Sequence, residues 1–174
     1  MIHLNNFTKL WKTKKALEQV EDIQLRERIL KYYRPKTHKP KKSVTWRDLA
    51  HRVFSEYVRL YYADDKWYCV CITSGEKIYR KYIQAWHFLT RANTKYTFDI
   101  TNVYPQCERC NVILNWNYIK YTLKMEEILG KTEVERRIND KETVELKQYQ
   151  YEKMITEWYK FICEKKHKLW EKDM

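Results

Sequence analysis

Residues 102–111 read NVYPQCERCN, and upstream of them the stretch IQAWHFLTR (83–91) carries a single histidine. Cys107 and Cys110 stand at C-x-x-C spacing with Asn111 directly behind. Two thiols at that spacing form one chelating half of a tetrahedral zinc site. The knuckle either only holds the fold, or it positions a nuclease site beside it. The other half is expected upstream, where CITSG (71–75) offers Cys71 but has Ser74 where a second cysteine would complete the pair. Gly75 still supplies the tight turn. Cys69, two residues before Cys71, is the candidate replacement, so the expected zinc set is Cys69, Cys71, Cys107 and Cys110. Residues two apart on a strand share a face but do not form an amide-lined turn, and a serine hydroxyl is a poorer zinc ligand than a thiolate. The alternative is a degenerate knuckle stabilised by its apolar neighbours.

Working outward, residues 64–89 (DDKWYCVCITSGEKIYRKYIQAWHFL) are β-branched and aromatic, broken by SGEK. They read as a hairpin of two short strands. Before it, Thr45 and Asp48 form a capping-box pattern. Trp46, Leu49, Ala50, Val53, Phe54, Tyr57 and Tyr61 then recur at helical steps, predicting a helix to about Tyr62 with one face in the core. After it, Tyr118, Tyr121, Met125, Ile128 and Leu129 predict a helix from about Asn111 that stops at Gly130. A last helix is expected over 144–172, with Ile155, Trp158, Tyr159, Phe161 and Ile162 inward and Cys163 as a buried thiol. Residues 14–33 predict a further helix. RPKTHKPKK (34–42), with five basic residues, two prolines and no acid, reads as an arm or linker. The fold class is therefore α+β, mostly helical, with residues 1–44 as N-terminal helix and basic linker and 45–174 as the folded domain.

With 35 Lys+Arg against 23 Asp+Glu, the net charge of +12 points to a polyanionic partner, of which nucleic acid is the commonest. The bland alternative is a solvated basic surface. No single basic amphipathic helix supports a membrane-surface role. Two glycines in the chain argue against a glycine-rich phosphate loop. No secretory signal or apolar span is visible, so the thiols are expected to be reduced, in cytoplasm, and open to metal.

A nuclease of the ββα-metal type sets a histidine at the end of the second strand of its hairpin. The ring takes a proton from water, and a nearby divalent cation stabilises the developing charge. His87 stands in that place. Asn111 can present its amide oxygen to Mg²⁺, and Asn102 can hold the imidazole or the loop. The imidazole at 87 and the amide at 111 are expected to converge on a common cation beside a phosphate. A lone histidine after a strand is usually a packing residue; the ordered set is what points to chemistry.

In these stretches the chain resembles the lambda-type NinG (Rap) phage recombination proteins. The similarity runs from about Ser43 to Phe161 and rests on CITSG, QAWHF (84–88), NVYPQCERCN, NWNYIKY (115–121) and EEILG (126–130). It implies a helix-flanked HNH/ββα-metal module acting on branched DNA, such as D-loops and Holliday junctions, in the cytoplasm of a bacterial host. Carried over by position, His87 takes the general-base place, Asn111 a divalent-metal place, and Cys71, Cys107 and Cys110 structural-zinc places. Asn102 and Asn117 match further polar positions. The chain departs from the pattern at Ser74, where the family has cysteine, and at Trp86 and Trp116, where it has glycines. At Gln84 an acidic residue would be a better magnesium ligand. Two indoles at glycine positions would collide unless the loop shifts or they pack on each other.

The expectation is a structure-selective DNA endonuclease with structural Zn²⁺ and catalytic Mg²⁺ or Mn²⁺. Arg80, Lys81, Arg91 and Lys95 would clamp backbone phosphates. The alternative is a catalytically inactive junction-binding protein on the same scaffold; an RNA-binding accessory role is a third reading. Aromatic helices at both ends leave a homodimer open.

Overall fold

A computed structural model describes Lys31 and residues 45–172, with side chains described to Lys168. Apart from Lys31, the expected helix at 14–33 and the basic arm at 34–42 lie outside these residues, as does the proposed division after residue 44. Two compact units are present. One comprises the described residues up to Val53 together with those from Gln148, and the other is Phe54–Lys147.

Helix α1 (Trp46–Tyr61), whose residues are shared between the two units at Val53 and Phe54, starts at the expected capping box. Thr45 Oγ1 accepts from Asp48 N at 3.1 Å, while Asp48 Oδ2 accepts from Thr45 N at 3.1 Å and from its hydroxyl at 2.8 Å. Two orphan backbone donors are thereby satisfied. Leu49, Ala50 and Val53 are buried at helical spacing. The last helix runs from Gln148 to Lys172, starting four residues later than expected. It buries Ile155, Tyr159 and Ile162 as expected, while Trp158 and Phe161 are half-buried. Cys163 is half-buried, not buried as expected.

The second unit carries the candidate site. Strand β1 (Tyr68–Val70) pairs antiparallel with β2 (Lys77–Tyr79). The chain turns at once, with Tyr82 N donating to Tyr79 O at 2.8 Å, and β3 (Gln84–His87) pairs instead with β4 (Val103–Gln106). Thus two small ladders replace the single expected hairpin, and His87 ends the first strand of the second one. The sequence hides β4 because it contains Pro105. In this register Ala85 faces Pro105, while Phe88 N donates to Asn102 O at 2.8 Å. By alternation the 85–105 pair exchanges no ladder bonds, so the missing proline N–H points away from β3. The Pro105 carbonyl faces outward too and accepts from Ile72 N at 2.9 Å, tying the knuckle loop to β4.

After β4 the chain makes a π turn at Arg109–Ile113 and a tight turn at Asn115–Asn117. The helix expected from Asn111 begins only at Tyr118; α2 (Tyr118–Leu129) ends at Gly130, whose φ of +85° suits glycine as anticipated. An unanticipated helix α3 (Lys131–Asn139) follows, and the chain's last helix, Gln148–Lys172, is α4. Tyr121 and Met125 of α2 pack with Phe88, Tyr104 and Val134. A second cluster joins Ala63, Cys69, Cys71, Ile83, Cys107 and Cys110. The end of α3 grips the 94–101 loop: Arg137 donates to Asp99 at 3.2 Å and Thr101 at 3.0 Å, and Asp140 accepts from Lys95 and Tyr96, each at 2.8 Å. Among the described residues no helix is long and apolar enough to cross a membrane.

Candidate functional site

The Sγ atoms of Cys71, Cys107 and Cys110 all lie within 4.8 Å of one another, and all three residues are buried. Sulfurs bound tetrahedrally to zinc at ~2.3 Å would sit ~3.8 Å apart, so small shifts suffice to close this group on an ion. Backbone amides already point at the sulfurs. Cys107 N donates to Cys71 Sγ at 3.3 Å and Cys110 N to Cys107 Sγ at 3.4 Å, which favours thiolates. Gly75 takes φ +73° and its N–H bonds Cys71 O at 2.9 Å, so CITSG does make the knuckle turn. Burial pushes the Cys71 thiol up, but hydrogen bonds from Ser74, Thr73 and the Cys107 amide outweigh it and bring it down to about 6. Burial pushes Cys107 up to about 11. The donor set fits one structural zinc ion held by three cysteines, with Ser74 Oγ at the rim, 3.9 Å from Cys107 Sγ.

Cys69 is corrected: it is not in the thiol group. Its Sγ donates to the Arg59 carbonyl at 3.1 Å, and burial raises the thiol to about 11 against the smaller lowering pull of the Arg59 and Arg80 charges. Strand alternation put Cys69 and Cys71 on one face, but β1 ends at Val70 and Cys71 already belongs to the turn.

His87 is buried, 8% exposed, with Nε2 2.8 Å from Thr97 O. A carbonyl only accepts, so Nε2 carries the proton and Nδ1 the lone pair. Burial, with a smaller push from the Arg91 charge, lowers the imidazole to about 4 despite that bond. The ring is neutral at pH 7. Asn102, 1% exposed, holds the loop and not the ring. Its Oδ1 accepts from Leu89 N at 2.9 Å, and its Nδ2 donates to Leu89 O at 3.1 Å and Tyr96 O at 3.0 Å. Tyr96 is the neighbour of the residue that meets His87.

Asn111 is buried, and its Nδ2 donates to Gln84 Oε1. Its Oδ1 has no hydrogen-bond partner, and neither has Gln106 Oε1. Gln84 and Gln106 are cross-strand partners, so three side-chain amides meet on one face of the ribbon. The register puts Gln84, Trp86, Tyr104 and Gln106 on that face and Ala85, His87, Val103 and Pro105 on the other. The direct convergence expected of His87 and Asn111 is therefore replaced: Asn111 meets Gln84, while His87 leaves β3 on the opposite side.

The two indoles pack on each other, with ring centroids 6.1 Å apart and a 40° tilt. Trp116 has φ +67°, between Asn115 at +46° and Asn117 at +49°, a conformation that glycine accepts without strain and a bulky residue does not. The fully buried Gln106 fixes this turn, its Nε2 donating to Trp116 O at 2.7 Å. Sequence reasoning missed Gln106, because Pro105 beside it hides the strand that buries it. Asn117 Nδ2 lies 3.9 Å from Cys110 Sγ.

Of the four basic residues expected at phosphates, Lys95 is corrected. It is neutralised by Asp140 at 2.8 Å and Glu142 at 2.5 Å, acids forty-five and more residues away. The Arg80 guanidinium sits 4.6 Å over the Trp67 ring and is half-buried. Lys81 is exposed beside Tyr82, and Arg91 is exposed and close enough to His87 to act on its charge.

A family profile described as "NinG: Bacteriophage Lambda NinG protein" matches residues 4–170. Neither a curated protein nor a solved structure matches the chain.

Proposed function

Since the chain belongs to the NinG family of phage recombination proteins, matched from residue 4 to 170, we propose that it is a structure-selective endonuclease that hydrolyses phosphodiesters in branched DNA. The observation that carries this reading is the His87 Nε2–Thr97 O hydrogen bond. With that proton committed to the carbonyl, Nδ1 is the basic nitrogen and takes a proton from water. The resulting imidazolium keeps its second N–H on the same acceptor, so the ring does not turn during transfer. Asn102 and the α3 contacts hold the loop that supplies this acceptor. Arg91, beside the ring, binds the phosphate that is attacked. A Mg²⁺ or Mn²⁺ ion held by Asn111 Oδ1 and the Gln84 amide oxygen would sit on the ribbon face opposite His87, where it would bind an adjoining phosphate of the DNA and not the one beside the ring. The three-thiol knuckle, loaded with zinc, fixes the turn from which Asn111 projects.

A second reading is favoured by a specific observation: at Gln84 and Asn111 two neutral amides meet where a carboxylate would hold a cation more tightly. On that reading the protein binds branched DNA in recombination without cutting it. A four-way junction and a linear duplex of the same sequence, incubated with zinc-loaded protein in Mg²⁺, in Mn²⁺ or with neither added, separate the two. Cation-dependent nicks near the branch are expected. Salt-sensitive junction binding with no nicks under any condition selects the second reading.

A further inference from the structure

Beside the amide cluster, the surface between Asn111 and Tyr121 is unusually apolar. Val112, Ile113, Leu114, Trp116, Tyr118 and Ile119 are all exposed, Ile113 to 74% and Ile119 to 78%. Contiguous apolar exposure on this scale marks a binding surface. It is also built rigidly. Trp116, 40% exposed, is presented by three consecutive positive-φ residues, its carbonyl is held by the buried Gln106 side chain, and its ring is backed by Trp86. Tyr118 stacks on Phe88 at 5.7 Å and 5°, so the ridge returns to the residue after His87. Strain that the surroundings over-determine belongs where a side chain must be displayed.

The charge pattern selects the occupant. From Arg109 to Met125 the chain has no acidic side chain; Lys124 is already paired with Glu127 at 2.5 Å, so Arg109 and Lys120 supply the positive charge. An apolar and aromatic ridge set in a basic strip matches unstacked bases flanked by phosphates. We infer that the 112–119 ridge is a wedge that stacks Trp116 against an unpaired base at a DNA branch point, giving the protein its preference for branched over linear DNA. This deepens the proposed function and rests on its choice of DNA substrate, but not on cleavage.

Trp116→Gly is the direct test, because glycine suits φ +67° and the variant should fold at least as well as the parent. Binding is measured on the zinc-loaded protein with no added Mg²⁺ or Mn²⁺, so that no cutting occurs, to a four-way junction and to linear duplex, with 2-aminopurine at the branch as a reporter of stacking. For the parent, the junction should be bound more tightly and the reporter quenched on binding. For Trp116→Gly, junction affinity should fall about tenfold or more, towards that for duplex, and quenching should be lost. Ile119→Ser should weaken junction binding in the same direction. An unchanged junction preference in Trp116→Gly, or no preference in the parent, overturns the wedge. So does a parent dimer that Ile119→Ser dissociates with junction preference intact, which would assign the ridge to a second copy of the chain. Junction binding without nicks in Mn²⁺ removes the endonuclease and leaves the wedge standing.

Discussion

His87 donates its Nε2 proton to the carbonyl oxygen of Thr97 at 2.8 Å, so a backbone atom in a loop decides which imidazole nitrogen is basic. Burial lowers this histidine from its ordinary 6.5 to about 4. The unfolded chain therefore binds the proton first as pH falls. Between about 6.5 and 4 the unfolded state holds more protons than the folded one, and stability drops with falling pH. The contribution is fully present above 6.5 and amounts to at most about 3 kcal/mol. Urea unfolding at pH 7.5 and 5.0 should show this loss in the parent, and a shallower pH dependence in His87→Asn. Equal slopes would place the ring in water.

Zinc analysis should find one ion per chain, with Cys69→Ala unchanged in zinc content and Cys107→Ser devoid of it, since only the latter thiol belongs to the buried group of three. Ser74→Cys should complete a four-thiolate site, slowing zinc loss to a chelator and raising Tm. Cobalt substitution reads the same change as stronger thiolate-to-metal absorption. Zinc loss on removing Cys69 would restore the four-cysteine set first expected.

Arg91 and Lys95 should separate in salt titrations of DNA binding. Arg91→Ala is expected to lower the slope of log affinity against log salt by about one, the signature of one lost phosphate contact. Lys95→Ala should leave the slope intact, because Asp140 and Glu142 already hold that ammonium. It should instead loosen the loop around Tyr96, seen as faster amide exchange.

Asn102→Ala removes three hydrogen bonds from a residue 1% exposed and strands the Leu89 amide and two carbonyls. A loss of about 2–4 kcal/mol in urea unfolding is expected. A loss under 1 kcal/mol would mean the loop is held from elsewhere.

Gln84→Glu places a carboxylate against Asn111 Nδ2 and beside the unpartnered Asn111 Oδ1. If this face holds the cation, the Mn²⁺ concentration giving half-maximal cleavage should fall by tenfold or more. An unchanged requirement would move the cation away from this face.

What the sequence revealed was local. The Thr45–Asp48 box, the glycine turns at 75 and 130, the buried steps of the last helix, and the knuckle spacing each depend on residues a few positions apart. The packing of Trp86 on Trp116 was legible too, as one of two ways to relieve indoles at glycine positions. What stayed hidden was set by distant partners. β4 was obscured by Pro105, whose tolerance depends on facing outward from β3. Lys95 looked like a phosphate clamp because its acids lie beyond α3. Asn111 was assigned to His87 because strand order alone does not say which face each side chain takes; the 84–106 register does.

The most direct test compares parent and His87→Ala on a labelled four-way junction, with binding read on zinc-loaded protein without added Mg²⁺ or Mn²⁺ and cleavage in Mn²⁺ on the same preparations. The account predicts equal junction affinity within about twofold and loss of at least a hundredfold in nicking rate, consistent with a general base. Undiminished nicking by His87→Ala would contradict it.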